Sequence, residues 1–309
     1  MVATLVQVTG LGLLGILLFA IGCGEPASRE NMQSEYSRPV QVGRIETPDI
    51  QESSGLSASE CQDVLWTHND AGNGPLIYAM DLKGKHLGVW RVTGASSTDW
   101  ESIATYRDAS GTCQLFIGDI GDNDQTRPEI LIYRIPEPTI DSDSAISSSA
   151  KPLSTPAADV MRIKYTDGCQ NAETLLVHPK TGDVYIVTKA KQGPAAVHRV
   201  KPIFGNATAA ITEKVATVSL PTKPEGLITG GSLSPDGSRA MLCDVQRGYE
   251  LKLPAASSSP DDLWKQKPIP VDIGERKQGE GVSYGRDGLS LYATSEKKNA
   301  PIYMIKRKS

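Results

Sequence analysis

The stretch Ile228–Leu253, ITGGSLSPDGSRAMLCDVQRGYELKL, decides the fold. Ile228–Ser234 and Arg239–Cys243 are short apolar runs on either side of a Pro235-Asp236-Gly237 turn, and Tyr249–Leu253 follows as a third run. Runs of this length, with a Gly-containing turn between them, read as antiparallel strands joined by a hairpin. The pattern returns downstream: Glu280–Tyr284, an Arg286-Asp287-Gly288 turn, Ser290–Thr294, then Ile302–Ile305. Upstream it occurs three times more. One unit holds Gly55–Ser57, Asp63–His68 and Leu76–Met80. The next holds Trp100–Ala104, Gln114–Asp119 and Ile130–Ile135. A third holds Ala172–Val177, Asp183–Thr188 and Val197–Val200. No ten-residue segment follows a helical period.

One similar unit repeated along the chain predicts an all-β fold, a single β-propeller of five four-stranded blades. Six blades are the alternative, should two have merged in the reading. A two-sheet sandwich would not explain the similarity between units. The last unit lacks an outer strand, and Val40–Ile45 (VQVGRI) is expected to supply it, closing the ring and removing open edges. Pro138–Asp159 and Lys201–Thr212 read as insertions between strands.

Composition agrees. The chain has 309 residues, 39% hydrophobic, enough for a large core. Its 29 Gly and 20 Pro disfavour long helices. The net charge of −4 argues against a nucleic-acid partner.

Residues 1–22 carry no charged side chain and have the apolar run of a signal peptide. The run ends Phe19-Ala20-Ile21-Gly22-Cys23, which resembles a bacterial lipoprotein box. The expected organisation is signal peptide 1–22, a flexible tether 23–38 after a lipidated Cys23, and a propeller domain 39–309. The expected location is the bacterial cell envelope, with the exported chain anchored to a membrane by its lipid. An even number of further cysteines in an exported chain suggests disulfides. The repeat favours Cys61–Cys113 and Cys169–Cys243, with buried free thiols as the alternative.

In a propeller the start of each inner strand and the end of the next strand converge on one channel mouth. This scheme gathers Ser54, Glu101, Glu173, Thr229 and Glu280 around the channel. Three facing carboxylates repel one another unless a cation neutralises them. Calcium, which accepts six to eight oxygens in flexible geometry, is the expected cofactor. The strand-two ends add His68, Asn69, Asp70, Asp119, Asp122, Asn123 and Lys189. His68, Asp119 and Asp122 are candidate catalytic groups; Asn69, Asp70, Asn123 and Lys189 are candidate ligand contacts. The competing reading of His68-Asn69-Asp70 is a turn tied down by side-chain-to-backbone hydrogen bonds.

The ring order Ser54, Glu101, Glu173, Thr229, Glu280 resembles that of the five-bladed calcium-activated nucleotidases, the apyrases, with Thr229 standing where that family has Ser. The segment Gly118–Asn123 (GDIGDN) is similar in place to their Gly-rich loop. The phrases WTHNDAGNGPLIYAMD, DWESIA, LFIGDIGDN, IYRIPEP, NAETLLV and SPDG look like those of a family of exported bacterial propellers without a settled activity. The apyrase resemblance implies channel calcium. The second resemblance implies export and says nothing of substrate.

No phosphate-binding Gly-x4-Gly-Lys-Ser/Thr loop, His-Glu-x-x-His motif or nucleophile elbow is present. The expected function is a membrane-anchored, calcium-binding propeller that hydrolyses phosphoesters or related esters at the channel mouth, taking a small anionic ligand. The alternative is a non-catalytic propeller that binds an envelope partner and uses calcium structurally. A lactonase-like centre is a third reading.

Overall fold

The computed structural model describes residues 35–142 and 144–308. The expected signal segment, Cys23 and most of the tether lie outside the described residues.

The first strand, β1 (Val40–Arg44), is followed by the first blade: β2 (Ser53–Ala58), β3 (Leu65–Asn69), β4 (Leu76–Met80) and β5 (His86–Arg91). The second blade begins with β6 (Trp100–Arg107), β7 (Cys113–Asp119) and β8 (Ile130–Pro136). Its insertion then sends β9 (Leu153–Ser154) back, parallel to β5 of the first blade, before the outer strand β10 (Asp159–Lys164) returns. The third blade runs β11 (Ala172–Val177), β12 (Val184–Thr188) and β13 (Ala195–Val200). Its own insertion lays β14 (Ala210–Ile211) parallel to β10 before the outer strand β15 (Glu213–Val218). Both stretches read as insertions are therefore straps onto the preceding blade. The fourth blade is β16 (Gly230–Leu233), β17 (Arg239–Cys243), β18 (Gly248–Lys252) and β19 (Ile269–Val271). The fifth is β20 (Val282–Tyr284), β21 (Ser290–Ala293) and β22 (Pro301–Lys306), completed by β1. Val40 pairs with Met304 and Arg44 with Pro301, so the N-terminal strand closes a five-bladed ring. The six-blade alternative is removed.

Period-two alternation explains how the ring is held. Each strand turns one set of side chains to the preceding blade and the other to the next. In β12, Val184 and Ile186 face the second blade, while Tyr185 and Val187 face the fourth. In β17, Ala240 and Leu242 face the third blade, while Met241 and Cys243 face the fifth. The described residues thus form five apolar cores, one between each pair of neighbouring blades. Each buried Leu, Ile or Val contributes about 1.5–3 kcal/mol to holding adjacent blades together.

Cys61, after β2, and Cys113, opening β7, form a disulfide between the first two blades, with Cα atoms 6.3 Å apart. The expected Cys169–Cys243 bond is not formed; both thiols are free. Cys243 points to the fifth blade, its Sγ 3.8 Å from the Glu280 carbonyl oxygen, whereas Cys169 precedes the inner strand of the third.

Glu35–Arg38, inside the stretch expected to be tether, lie on the propeller. Tyr36 is buried, bridges to Arg307 and donates its hydroxyl to Glu250. Glu35 pairs with Lys252 and, at 3.2 Å, with Arg239. β22 leaves the mouth face at Pro301 and reaches the opposite face at Lys306, so residues 35–38 lie on the face opposite the mouth.

Candidate metal centre

The inner strands approach so closely that several positions tolerate only glycine. A Cβ on Gly230 would lie 1.9 Å from the Glu280 carbonyl oxygen, and one on Gly55 would lie 2.7 Å from His68 Nε2. This tight channel brings in Glu101 and Glu173, each the second residue of its inner strand, and Glu280, two residues before β20. All three are buried, with 4%, 3% and 7% of their surface exposed.

Burial and crowding push these carboxyls far from the ordinary carboxylate range. Glu101 is raised to about 11, first by desolvation and then by Glu173, Asp70, Asp99 and Glu280. Glu280 is raised to about 9 by desolvation, then by Glu173 and Glu296. Glu173 reaches about 7: desolvation raises it, and Lys189 pulls it part of the way back. Lys189, expected to steer an anion, is thus committed to Glu173 Oε1. Glu173 Oε2 is buried and has no hydrogen-bond partner among the described residues.

The tightest convergence lies to one side of the ring. Asp70, Asp99 and Glu101 each present a carboxylate oxygen within 4.8 Å of the others. Asp99, the residue before β6, stands outside the ring expected from the sequence, and desolvation followed by the Asp70 charge raises its pKa. Gly121 closes over this cluster. A Cβ there would lie 2.3 Å from Asp99 Oδ2 and 2.7 Å from Glu101 Oε1, so a side chain would fill the space between those oxygens. Hard, anionic oxygen donors of this kind suit calcium or magnesium rather than a soft metal. The residues therefore fit a divalent cation.

Two of the five expected ring ligands are otherwise engaged. Thr229 donates its hydroxyl to the Gly279 carbonyl at 2.8 Å. Ser54 donates to Glu101, at 3.2 Å from Oε2 and 3.3 Å from its carbonyl oxygen. Ser54 therefore orients Glu101, and Thr229 fastens the fourth inner strand to the fifth.

The strand-two candidates are also turned inward. Asp119 has no exposed surface. It accepts the backbone N–H of Thr98 at 3.1 Å and of Asp99 at 3.0 Å, and pairs with Arg127 at 2.8 Å. Asp122 caps the following turn by accepting from Thr126 N at 2.9 Å and Arg127 N at 2.8 Å. Its own N–H donates to Asn171 Oδ1, and Asn171 also donates to Asn123. Asp119, Asp122 and Asn123 thus hold the loop carrying Gly121 against the cluster. The sequence reading missed Arg127, the cation of this network, because it lies in a loop particular to the second blade. Asp99 carried a usable signal: it precedes the Trp-Glu pair that opens β6.

His68, a candidate catalytic group, packs inside the fold. It has 0% exposure, its Nδ1 lies 3.0 Å from the Asn69 carbonyl oxygen, and its ring meets Trp100 edge-on. Burial lowers its pKa to about 4, so it stays neutral. Asn69 accepts the N–H groups of Gln51 and Glu52 and donates to the Asp49 carbonyl, the turn-fastening role weighed against ligand contact. Of the expected ligand-contact residues, Asp70 alone joins the carboxylate cluster.

No family model matches the chain, and no curated protein matches it. A solved gluconolactonase from Xanthomonas campestris is similar over 90% of this chain and 91% of its own, at 12% identity and a TM-score of 0.47. A chain of a nidogen–laminin complex is similar over 79% of this chain and 72% of its own, at 15% identity and a TM-score of 0.41.

Proposed function

We propose that the channel mouth binds a divalent cation, calcium first, through Asp70, Asp99 and Glu101, with Glu173 and Glu280 facing them. We propose that this centre hydrolyses phosphoesters or related esters. The observation that carries the reading is the convergence of three carboxylates beside a buried, unpartnered Glu173 Oε2. A bound cation supplies neutralising charge and polarises an ester or phosphoryl oxygen. The chain's own groups divide the remaining work. Glu173 Oε2, buried and unpartnered beside the cluster, is placed to take and return a proton. Lys189 stabilises its ionised form. Asp119 and Arg127 hold Asp99 and Gly121 in place.

The depth of Glu101 and its bond from Ser54 favour a second reading, in which the cation braces the ring and the face serves as a binding surface. Export and lipid anchoring through Cys23 belong to the same proposal. The position of Glu35 and Tyr36 on the face opposite the mouth supports an arrangement in which the mouth points away from the membrane.

The deciding experiment combines elemental analysis with a phosphoester, nucleotide and lactone panel on wild type and Glu173→Gln. Bound calcium with activity lost in the variant supports the hydrolase. Bound calcium with equal background in both supports the binding propeller. Absence of a bound cation, with no melting shift on calcium addition, overturns both.

A further inference from the structure

Beside the channel mouth, between the fourth and fifth blades, lies a cleft of about 790 Å³. That volume is in the range of small-molecule sites. Six basic and three acidic side chains line it. Among the lining residues is Arg276, only 7% exposed. One guanidinium nitrogen, Nη2, donates to the Asp244 carbonyl at 3.0 Å. Among the described residues Nε and Nη1 have no hydrogen-bond partner, and no carboxylate forms an ion pair with Arg276. The neighbouring Cys243 thiol is kept neutral by burial, so it brings no counter-charge.

A buried cation without a carboxylate partner is costly, and it raises the positive potential of a cavity beside it. Gly279 permits the placement, since a Cβ there would lie 2.1 Å from Arg276 Nη1. Arg247, Lys277 and Lys298 stand exposed at the rim and add to the same field. The Tyr303 ring, packed against Gly274, gives the cleft an aromatic wall. We propose that this cleft binds a small organic anion, with its phosphate or carboxylate drawn toward Arg276 and the basic rim and its body against Tyr303. The site stands on observations separate from the carboxylate cluster and does not require the cation.

The test is calorimetric titration of the full chain, in chelator, with phenyl phosphate and with inorganic phosphate. Phenyl phosphate should bind more tightly, because only it can use the ring. Arg276→Gln should weaken binding about tenfold or more, the usual scale for loss of a charged hydrogen-bonding group. Lys277→Gln/Lys298→Gln alters only exposed positions and should weaken binding about threefold by loss of attraction. Asp99→Asn should bind as wild type does. The proposal is overturned if neither ligand binds at millimolar concentration, if the Lys double variant binds like wild type, or if Asp99→Asn abolishes binding. Should Arg276→Gln fail to fold, the Lys double variant decides alone.

Discussion

Asp119 fixes Asp99 through the main chain: its buried carboxylate accepts the Asp99 backbone N–H at 3.0 Å. The same carboxylate holds Arg127, which in turn donates to the Gly121 carbonyl. Asp119→Ala removes one partner of a buried pair and leaves two N–H groups without acceptors. It should cost about 3–5 kcal/mol of stability, measured by chemical denaturation. Calcium affinity should fall as well, measured by titration at a temperature where the variant is folded.

The channel carboxylates set a pH dependence. Glu173, Glu280 and Glu101 have folded pKa values raised to about 7, 9 and 11 from the ordinary glutamate value of 4.5. The folded chain therefore binds more protons than the unfolded chain above pH 4.5, and stability falls as pH rises. In chelator, the melting temperature should be higher near about pH 5.5 than near about pH 8.5. Calcium at the proposed centre would have to displace those protons, so its affinity and its stabilising effect should grow over the same interval. Melting curves at both pH values, with and without calcium, check both signs.

His68 gives the opposite slope. Its folded pKa, near 4, lies below the ordinary histidine value of 6.5, so the unfolded chain takes the proton first as pH falls. Wild type should lose up to roughly 3 kcal/mol to this residue between those two values. His68→Gln should lack that component, read by denaturant titration across the range, and should keep its calcium affinity.

The cysteines separate by accessibility. Cys113→Ser, which removes the Cys61–Cys113 bond, should lower stability by about 2–4 kcal/mol. With the native chain, peptide mapping after thiol labelling should find Cys169 modified and Cys243 untouched, because the first is partly exposed and the second is buried. Labelling of Cys243 should appear only on unfolding.

Turn chemistry made the blades legible. Pro235-Asp236-Gly237 and Arg286-Asp287-Gly288 mark hairpins in any context, and Val40–Ile45 could be matched to the gap in the last unit. The outer strands were harder to read: Glu213–Val218 and Ile269–Val271 are half solvated and show no clear alternation. At the site, the sequence placed Glu101, Glu173 and Glu280 on the channel but did not reveal which oxygens were already engaged. Asp119 and Asp122 looked available because Arg127, their partner, belongs to no repeat. The Cys243 error came from neglecting strand parity: Met241 and Cys243 share one face, Ala240 and Leu242 the other.

Closing the ring with β1 against β22 also orders events during synthesis. Val40–Arg44 leaves the ribosome long before Pro301–Lys306 exists, and the first and last cores cannot both be sealed until it does. The nascent chain therefore carries an unmated strand and an open sheet edge for most of its translation, a state prone to mispairing with other chains. A stop codon just before residue 301 would remove β22 and leave both ends of the circle without a partner.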